Sequence, residues 1–303
     1  MRILITGSTG LVGSALFPFL TGGGHQVTRL GRSKTGTHAS ELTWDPETGR
    51  IDSAGLEGFD AVVHLAGENI GTGRWNGAKK HRIRRSRVDG TRLLCEGLSR
   101  LTRPPRTLVC ASAIGYYGSR GDEILKEESS SGSGFLAEVC RAWEAASGPA
   151  AAKGIRVVNL RFGVILSPGG GALARMLLPF RLGAGGVIGS GTQYMSWISL
   201  DDAVGAVHHA LGAEGLSGPV NAVAPKPATN REFTRTLGAV LSRPTIFPVP
   251  ALAARLAFGE MADALLLSSA RVEPARLLAT GYRFRHPDLE TALRQMLGRA
   301  KEA

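Results

Sequence analysis

The chain has 303 residues, of which 43% are hydrophobic and 20% charged, and it carries a formal net charge of +11. That length and balance can bury one large core plus a smaller lobe, which argues against a disordered chain. No membrane span is evident, and the N-terminus lacks a charged leader followed by an apolar run and a cleavage site, so a cytoplasmic protein without a membrane partner is expected.

The first predicted element is an apolar strand from Met1 that runs into Gly7, Gly10 and Gly13 at the head of a helix. In such a strand–turn–helix the first glycine permits the tight turn, the second lets a pyrophosphate approach the backbone, and the third lets the helix pack close to the strand. Ser8, Thr9, Leu11 and Val12 complete the loop. An anion there meets free N–H groups and the positive end of the helix dipole. The motif therefore predicts dinucleotide binding; the competing reading is a merely structural turn.

After a helix over 14–20, residues 25–33 read as a second parallel strand. An NAD site usually places an acid near the end of this strand to accept hydrogen bonds from the ribose hydroxyls. Here Arg29 and Arg32 stand instead, and a guanidinium suits a 2′-phosphate, so NADP(H) is favoured over NAD(H). The alternative is that both arginines point to solvent. Further strands are expected at 60–66, 106–112 and 155–161, with helices over 75–101 and 138–153 between them. This alternation is the signature of a doubly wound parallel α/β sheet of the Rossmann type. Right-handed crossovers then gather Gly7, Ala66, Ser112 and Phe162 around one crevice.

The second half changes character. A glycine-rich loop at 167–171 opens a short helix to about residue 182, and short strands at 195–199 and 219–223 flank a helix over 201–211. Beyond Pro225 the pattern is mostly helical, with Pro244, Pro248 and Pro250 marking a rigid connection. A domain over 1–224 and a smaller, mostly helical C-terminal lobe over 225–303 follow, with 165–192 contributing to the substrate side and the lobe capping the crevice.

Cys95, Cys110 and Cys140 are odd in number and far apart, which reads as reduced thiols with neither a disulfide framework nor zinc spacing. His208 and His209 are adjacent and would diverge on a helix, so no metal site is expected. The basic run Lys79 to Arg87 raises a nucleic-acid reading. On a long helix such a run is usually a solvated face, and no recognition motif accompanies it, so no nucleic-acid partner is expected.

Taken together, residues 6–13, 64–70, Arg74-Trp75, 112–118, 134–144, 195–198 and the tail over 230–287 resemble the extended short-chain dehydrogenase/reductases. More narrowly, they resemble its atypical epimerase-family (sugar-nucleotide epimerase-like) group, which has a characteristic C-terminal domain. The resemblance implies an NADP(H)-binding domain in which Arg32 meets the adenosine phosphate. It implies that Leu65, Ala66 and Gly67 line the adenine and ribose side, that Glu68 and Arg87 border the cofactor, and that Val164 lies close to the nicotinamide. Strand-end packing is the plainer role for Leu65 and Ala66, and an ion pair ordering the loop is the plainer role for Glu68 and Arg87.

Ordinary members of that superfamily use a helix tyrosine and a lysine four residues later. With Glu144 aligned to the glutamate that often follows that pair, the two positions here are Leu136 and Cys140, and neither can do the work. A hydroxyl partner on the preceding strand is expected at Ser112 if the register follows Tyr116; if it follows Tyr117, that place falls to Ala113. Ser112, Tyr116 and Tyr117 are the expected catalytic residues, with Glu138 a further acid/base candidate. Two functions follow: an NADP(H)-dependent oxidoreductase or epimerase-like enzyme acting on a small hydroxyl or carbonyl compound, as a monomer or homodimer, or an NADPH-binding sensor with little turnover.

Overall fold

The structure, a computed structural model, describes residues 1–32 and 42–299. The glycine turn connects β1 (Arg2–Thr6) to α1 (Leu11–Gly22), and β2 (Gln26–Gly31) follows. The strand expected over 25–33 is thus shorter at both ends, and Ser33 lies outside the described residues. A hairpin not anticipated from the sequence comes next, β3 (Leu42–Asp45) with β4 (Arg50–Ile51). Then come β5 (Ala61–His64), α2 (Gly77–Ser99) and β6 (Thr107–Ala113), which ends in a 3-10 turn over Ile114–Tyr117. A short β7 (Ile124–Leu125) precedes α3 (Phe135–Ala145), α4 (Gly148–Ala152) and β8 (Arg156–Phe162). The single helix expected over 138–153 starts earlier and is broken in two, with Pro149 taking a first-turn position of the second piece, where its missing N–H costs nothing.

The remaining elements are β9 (Val164–Ser167), α5 (Gly171–Arg181), β10 (Tyr194–Met195), β11 (Trp197–Ser199), α6 (Leu200–Gly212) and β12 (Gly218–Ala222). They are followed by β13 (Ala228–Thr229), α7 (Asn230–Leu241), α8 (Ala251–Phe258), β14 (Arg271–Val272), α9 (Ala275–Ala279) and α10 (Leu289–Met296). A π turn over Ala262–Leu266 follows α8.

The main sheet has the order β12-β8-β6-β5-β1-β2-β3-β4 and is parallel except for the β3–β4 edge. After β1 the chain moves outward to β2 and β3, then returns to build β5, β6, β8 and β12 on the other side. The order reverses between β1 and β5, and ligands of such sheets bind in the crevice at that switch point. One face buries Leu16 and Leu20 of α1 with Val204 and Val207 of α6; the other buries Leu94 and Leu98 of α2 with Ala150 of α4. The strands between them are apolar on both faces, as a sheet covered twice requires.

A second core forms where α5, α7 and α10 meet, around Leu173, Leu177, Phe233, Leu237 and Leu293. α7 begins with a capping box in which the Thr229 side chain and Glu232 satisfy each other's backbone N–H groups. The C-terminal chain also returns to the sheet: α9 packs on β12, and the Tyr282 hydroxyl donates to the Asp202 carbonyl at 3.0 Å.

Candidate cofactor and substrate crevice

The glycine turn has the shape its spacing predicts. Gly7 holds φ at +70°, and a Cβ there would lie 2.6 Å from the Leu65 carbonyl carbon, so both the turn and the approach of β5 demand glycine. At Gly13 a Cβ would sit 2.2 Å from the Gly7 oxygen, because α1 rests directly on the turn. Gly10 differs, meeting only the Gly7 oxygen at 3.3 Å, so its outer side is open. No side chain caps α1 and no acid occupies its first turn, which leaves its amides available to an anion. Arg32 stands just beyond β2 and is exposed. Arg29 does not join it: its guanidinium lies 3.6 Å over the Phe17 ring on α1, whereas Arg32 has no side-chain partner among the described residues.

The far side of the crevice is held by a chain of hydrogen bonds that passes through a buried histidine. The Ala66 amide donates to Thr6 Oγ1 at 3.3 Å, and that hydroxyl is 2.7 Å from His64 Nδ1. His64 Nε2 is 3.0 Å from Thr91 Oγ1, which also accepts the Trp143 indole N–H at 2.9 Å. Thr6 and Thr91 thus tie the β5 loop to β1, α2 and α3. Burial pushes the His64 pKa from 6.5 down to about 4. The unfolded chain takes up this proton near pH 6.5 and the folded chain only near pH 4, so the contribution is full above that window and is lost as pH falls through it. We expect acidification across the window to cost about 3 kcal/mol of stability through this one residue. Urea unfolding of the parent and His64→Gln over that range should give two slopes differing by this amount.

Glu68 and Arg87 do not pair with each other. The Glu68 carboxylate binds Lys79 Nζ at 2.7 Å, and that hydrogen bond holds its pKa below the usual range. Arg87 instead donates to the backbone oxygens of Glu68 and Ile83, at 3.0 and 3.3 Å, and lies 5.0 Å from the Trp143 ring. It would also stand 3.5 Å from a Cβ placed on Gly67. Leu65 and Ala66 are half-buried at the strand end, and Val164 opens β9 after a close passage at Gly163, whose Cβ would lie 2.5 Å from the Ser196 oxygen.

The three expected catalytic hydroxyls separate. Ser112 is buried, and its Oγ donates to Glu144 Oε1 at 2.7 Å. Glu144 in turn takes both arms of Arg161, Nε and Nη2, each at 2.8 Å. Tyr117 is fully buried, its oxygen accepts from Arg161 Nη1 at 2.9 Å and lies 2.7 Å from Asn221 Oδ1, and burial pushes its pKa up to about 12. Both hydroxyls take part in a buried polar network, because the strand turns Ser112 toward α3 and leaves Ala113 facing the other way. Tyr116 is half-buried, its ring lies 3.5 Å from the Arg161 guanidinium carbon, and its hydroxyl makes no hydrogen bond among the described residues. Glu138 is exposed on α3. Leu136 and Cys140 face the turn after β6, with a Gly115 Cβ meeting them at 3.3 and 3.7 Å, and burial pushes the Cys140 thiol up to about 12.

The NAD dependent epimerase/dehydratase family model matches residues 3–222, and a domain of unknown function, DUF1731, matches 249–296. The chain belongs to the NAD dependent epimerase/dehydratase family. It is similar to the epimerase family protein Mb2239 of Mycobacterium bovis, 45% identical over 96% of each chain. It is also similar to the crystal structure of human epimerase family protein SDR39U1 with NADPH, which is 39% identical with a TM-score of 0.90 over 98% of this chain and 99% of that one. The UDP-N-acetylglucosamine 4-epimerase of Bacillus cereus shares the fold, with a TM-score of 0.76 at 20% identity over 99% of this chain and 100% of that one.

The family and the Rossmann sheet accord with the reading of the sequence. Sequence reasoning missed His64, Thr91 and Trp143, whose only signal was a polar residue within an apolar strand and two polar atoms on apolar helix faces. It also missed Arg161 and Glu144 as a pair, though a charged residue inside the run Val157 to Phe162 needs a buried partner. Among the described residues no helix is long and apolar enough to cross a membrane, and no group of three or more His, Cys, Asp or Glu is placed to hold a metal.

Proposed function

We propose that the protein binds NADPH at the glycine turn and acts as an NADP(H)-dependent oxidoreductase on a small carbonyl or hydroxyl compound. The observation that carries this reading is the pairing of an uncapped, glycine-built helix start with an exposed Arg32 at the end of β2, where no acid stands among the described residues. The residues fit the group: the first-turn amides of α1 would hold the pyrophosphate, Arg32 the 2′-phosphate, Leu65, Ala66 and Gly67 the adenine and ribose, and Arg87, Glu68 and Val164 the nicotinamide side. When bound, the cofactor supplies or accepts a hydride. The NADPH in the human relative's structure supports the same assignment. Three buried free thiols fit a reducing compartment such as the cytoplasm.

Arg32→Ala should weaken NADPH binding ten- to a hundred-fold and leave NADH nearly unchanged, because a charge-assisted contact of this kind is worth roughly 1.5 to 3 kcal/mol. Calorimetric titration of both cofactors decides it, and equal affinity in the parent would refute the NADP assignment.

Proton transfer falls to Tyr116 in this reading, because its hydroxyl is the one of the three left uncommitted. Tyr116→Phe should lower turnover of a carbonyl panel by about a hundred-fold with NADPH affinity intact. Tyr117→Phe should instead lower stability by about 1 to 3 kcal/mol, since it leaves buried partners unsatisfied. Reversal of that pattern would move the proton donor to Tyr117.

Leu136 and Cys140 favour a second reading, an NADPH-binding protein with little turnover. Tight NADPH binding without oxidation across a broad carbonyl panel would establish it.

A further inference from the structure

Resting on the oxidoreductase reading, we infer that the substrate is an apolar carbonyl compound with one carboxylate end, held by Arg74 and Arg175 at the mouth of the crevice. Leu136 stands where the resemblance puts the tyrosine of ordinary superfamily members, and its surroundings are hydrophobic. Leu136 packs against the turn after β6, and above it Phe135, Ile70, Trp75 and Met261 form one apolar cluster reaching into the π turn of the C-terminal lobe. The polar atom of Trp75 is satisfied within this wall, since its indole N–H donates to the Ile70 oxygen at 2.8 Å. The half-buried side chains of this cluster, Ile70, Phe135 and Leu136, offer no polar partner to a hydroxyl-rich sugar or a diphosphate, and burying either without partners is costly.

The rim differs in charge. Residues 69–75 form a strap between the two lobes, and two arginines reach across it: Arg175 of α5 donates to the Gly71 oxygen, and Arg74 donates to the Leu256 oxygen of α8. Both are exposed, and neither lies within 4.0 Å of a carboxylate among the described residues. Their neighbours are neutralised, Lys79 by Glu68 and Lys80 by Glu260. Arg74 and Arg175 therefore carry uncompensated charge into the strap while bonding only to carbonyls. A carboxylate would displace such a bond readily, because a guanidinium binds it in a two-armed, charge-assisted contact.

Beyond the arginines the surface turns apolar again. Leu178 and Leu182 lie three and seven residues from Arg175, on the same side of α5, and are 66% and 74% exposed, while Leu256 is 70% exposed beside the Arg74 contact. An apolar body between these faces, with its single charge on the strap, matches the arrangement.

The test uses the full chain saturated with NADP+, which has no hydride to give a ketone, titrated calorimetrically with a matched pair, acetophenone and 4-acetylbenzoate, and separately with UDP-glucose. 4-Acetylbenzoate is expected to bind at least tenfold more tightly than acetophenone, and UDP-glucose more weakly than either. Arg74→Ala and Arg175→Ala should each shrink that preference several-fold and leave acetophenone affinity unchanged. Equal affinity for the matched pair, tighter binding of UDP-glucose, or failure of both ketones to bind a chain that holds NADP+ would overturn the inference. Failure to bind NADPH would strike the function itself rather than the substrate class.

Discussion

A Gly10→Val chain should fold and bind neither NADPH nor NADH. The substitution adds a branched side chain on the side of the turn that faces the crevice, where among the described residues a Cβ meets only the Gly7 oxygen, at 3.3 Å. Gly10 also has an extended backbone, with φ −77° and ψ 174°, that valine adopts readily. The fold therefore keeps its packing while a pyrophosphate loses the approach to the first-turn amides. Gly13→Val makes the control, because its Cβ would fall 2.7 Å from the Ser8 Cα as well as onto the Gly7 oxygen, and it should unfold the turn together with α1. Calorimetry and thermal melts on the two variants separate loss of site from loss of structure. Normal cofactor binding by Gly10→Val would remove the turn from the site.

Arg161→Ala should cost roughly 3 to 5 kcal/mol of folding stability, the range for breaking a buried ion pair from one side. Arg161 is 2% exposed, holds Glu144 with two bonds and gives a third to the Tyr117 hydroxyl. Its loss leaves a carboxylate inside the protein with only the Ser112 hydroxyl for a partner. A double variant, Arg161→Met with Glu144→Leu, should recover much of the deficit, because it removes the stranded charge along with its partner. Urea midpoints for the parent, the single and the double measure both effects. A loss below about 1 kcal/mol for Arg161→Ala would mean that water replaces the guanidinium.

Much of the architecture was legible because the signals were local. Glycine spacing, apolar runs of strand length and alternating helical segments follow from backbone sterics and burial, so the turn at Gly7 and the central strands could be placed from their own residues. The β3–β4 hairpin escaped because its strands are short and polar at the edge of the sheet. The break at Ala146–Ser147 was signalled by Gly148-Pro149 but masked by the alanines on either side. The site was legible only in part. Arg29 and Arg32 look equivalent in the chain, yet β2 sends one onto Phe17 and leaves the other at its end. Ser112 and Ala113 differ by one step, and a period of two puts them on opposite faces, so motif spacing alone could not tell which of them turns toward Glu144. Which partner each buried polar atom finds is a tertiary fact, and Glu144, Arg161 and His64 acquire theirs from distant segments.

The bonds that converge on His64 give the molecule a built-in spectroscopic probe. Thr6 Oγ1 accepts from the Ala66 backbone and Thr91 Oγ1 from an indole, and neither of those outer groups can accept in return. The neutral ring donates to one hydroxyl and accepts from the other, so its two nitrogens hold distinct environments. Their nitrogen resonances, one of pyrrole type and one of pyridine type, would register any rotation of the Thr6 hydroxyl. Since that hydroxyl also accepts from the Ala66 amide just past β5, the imidazole signal of a residue with no solvent exposure reports on the backbone there.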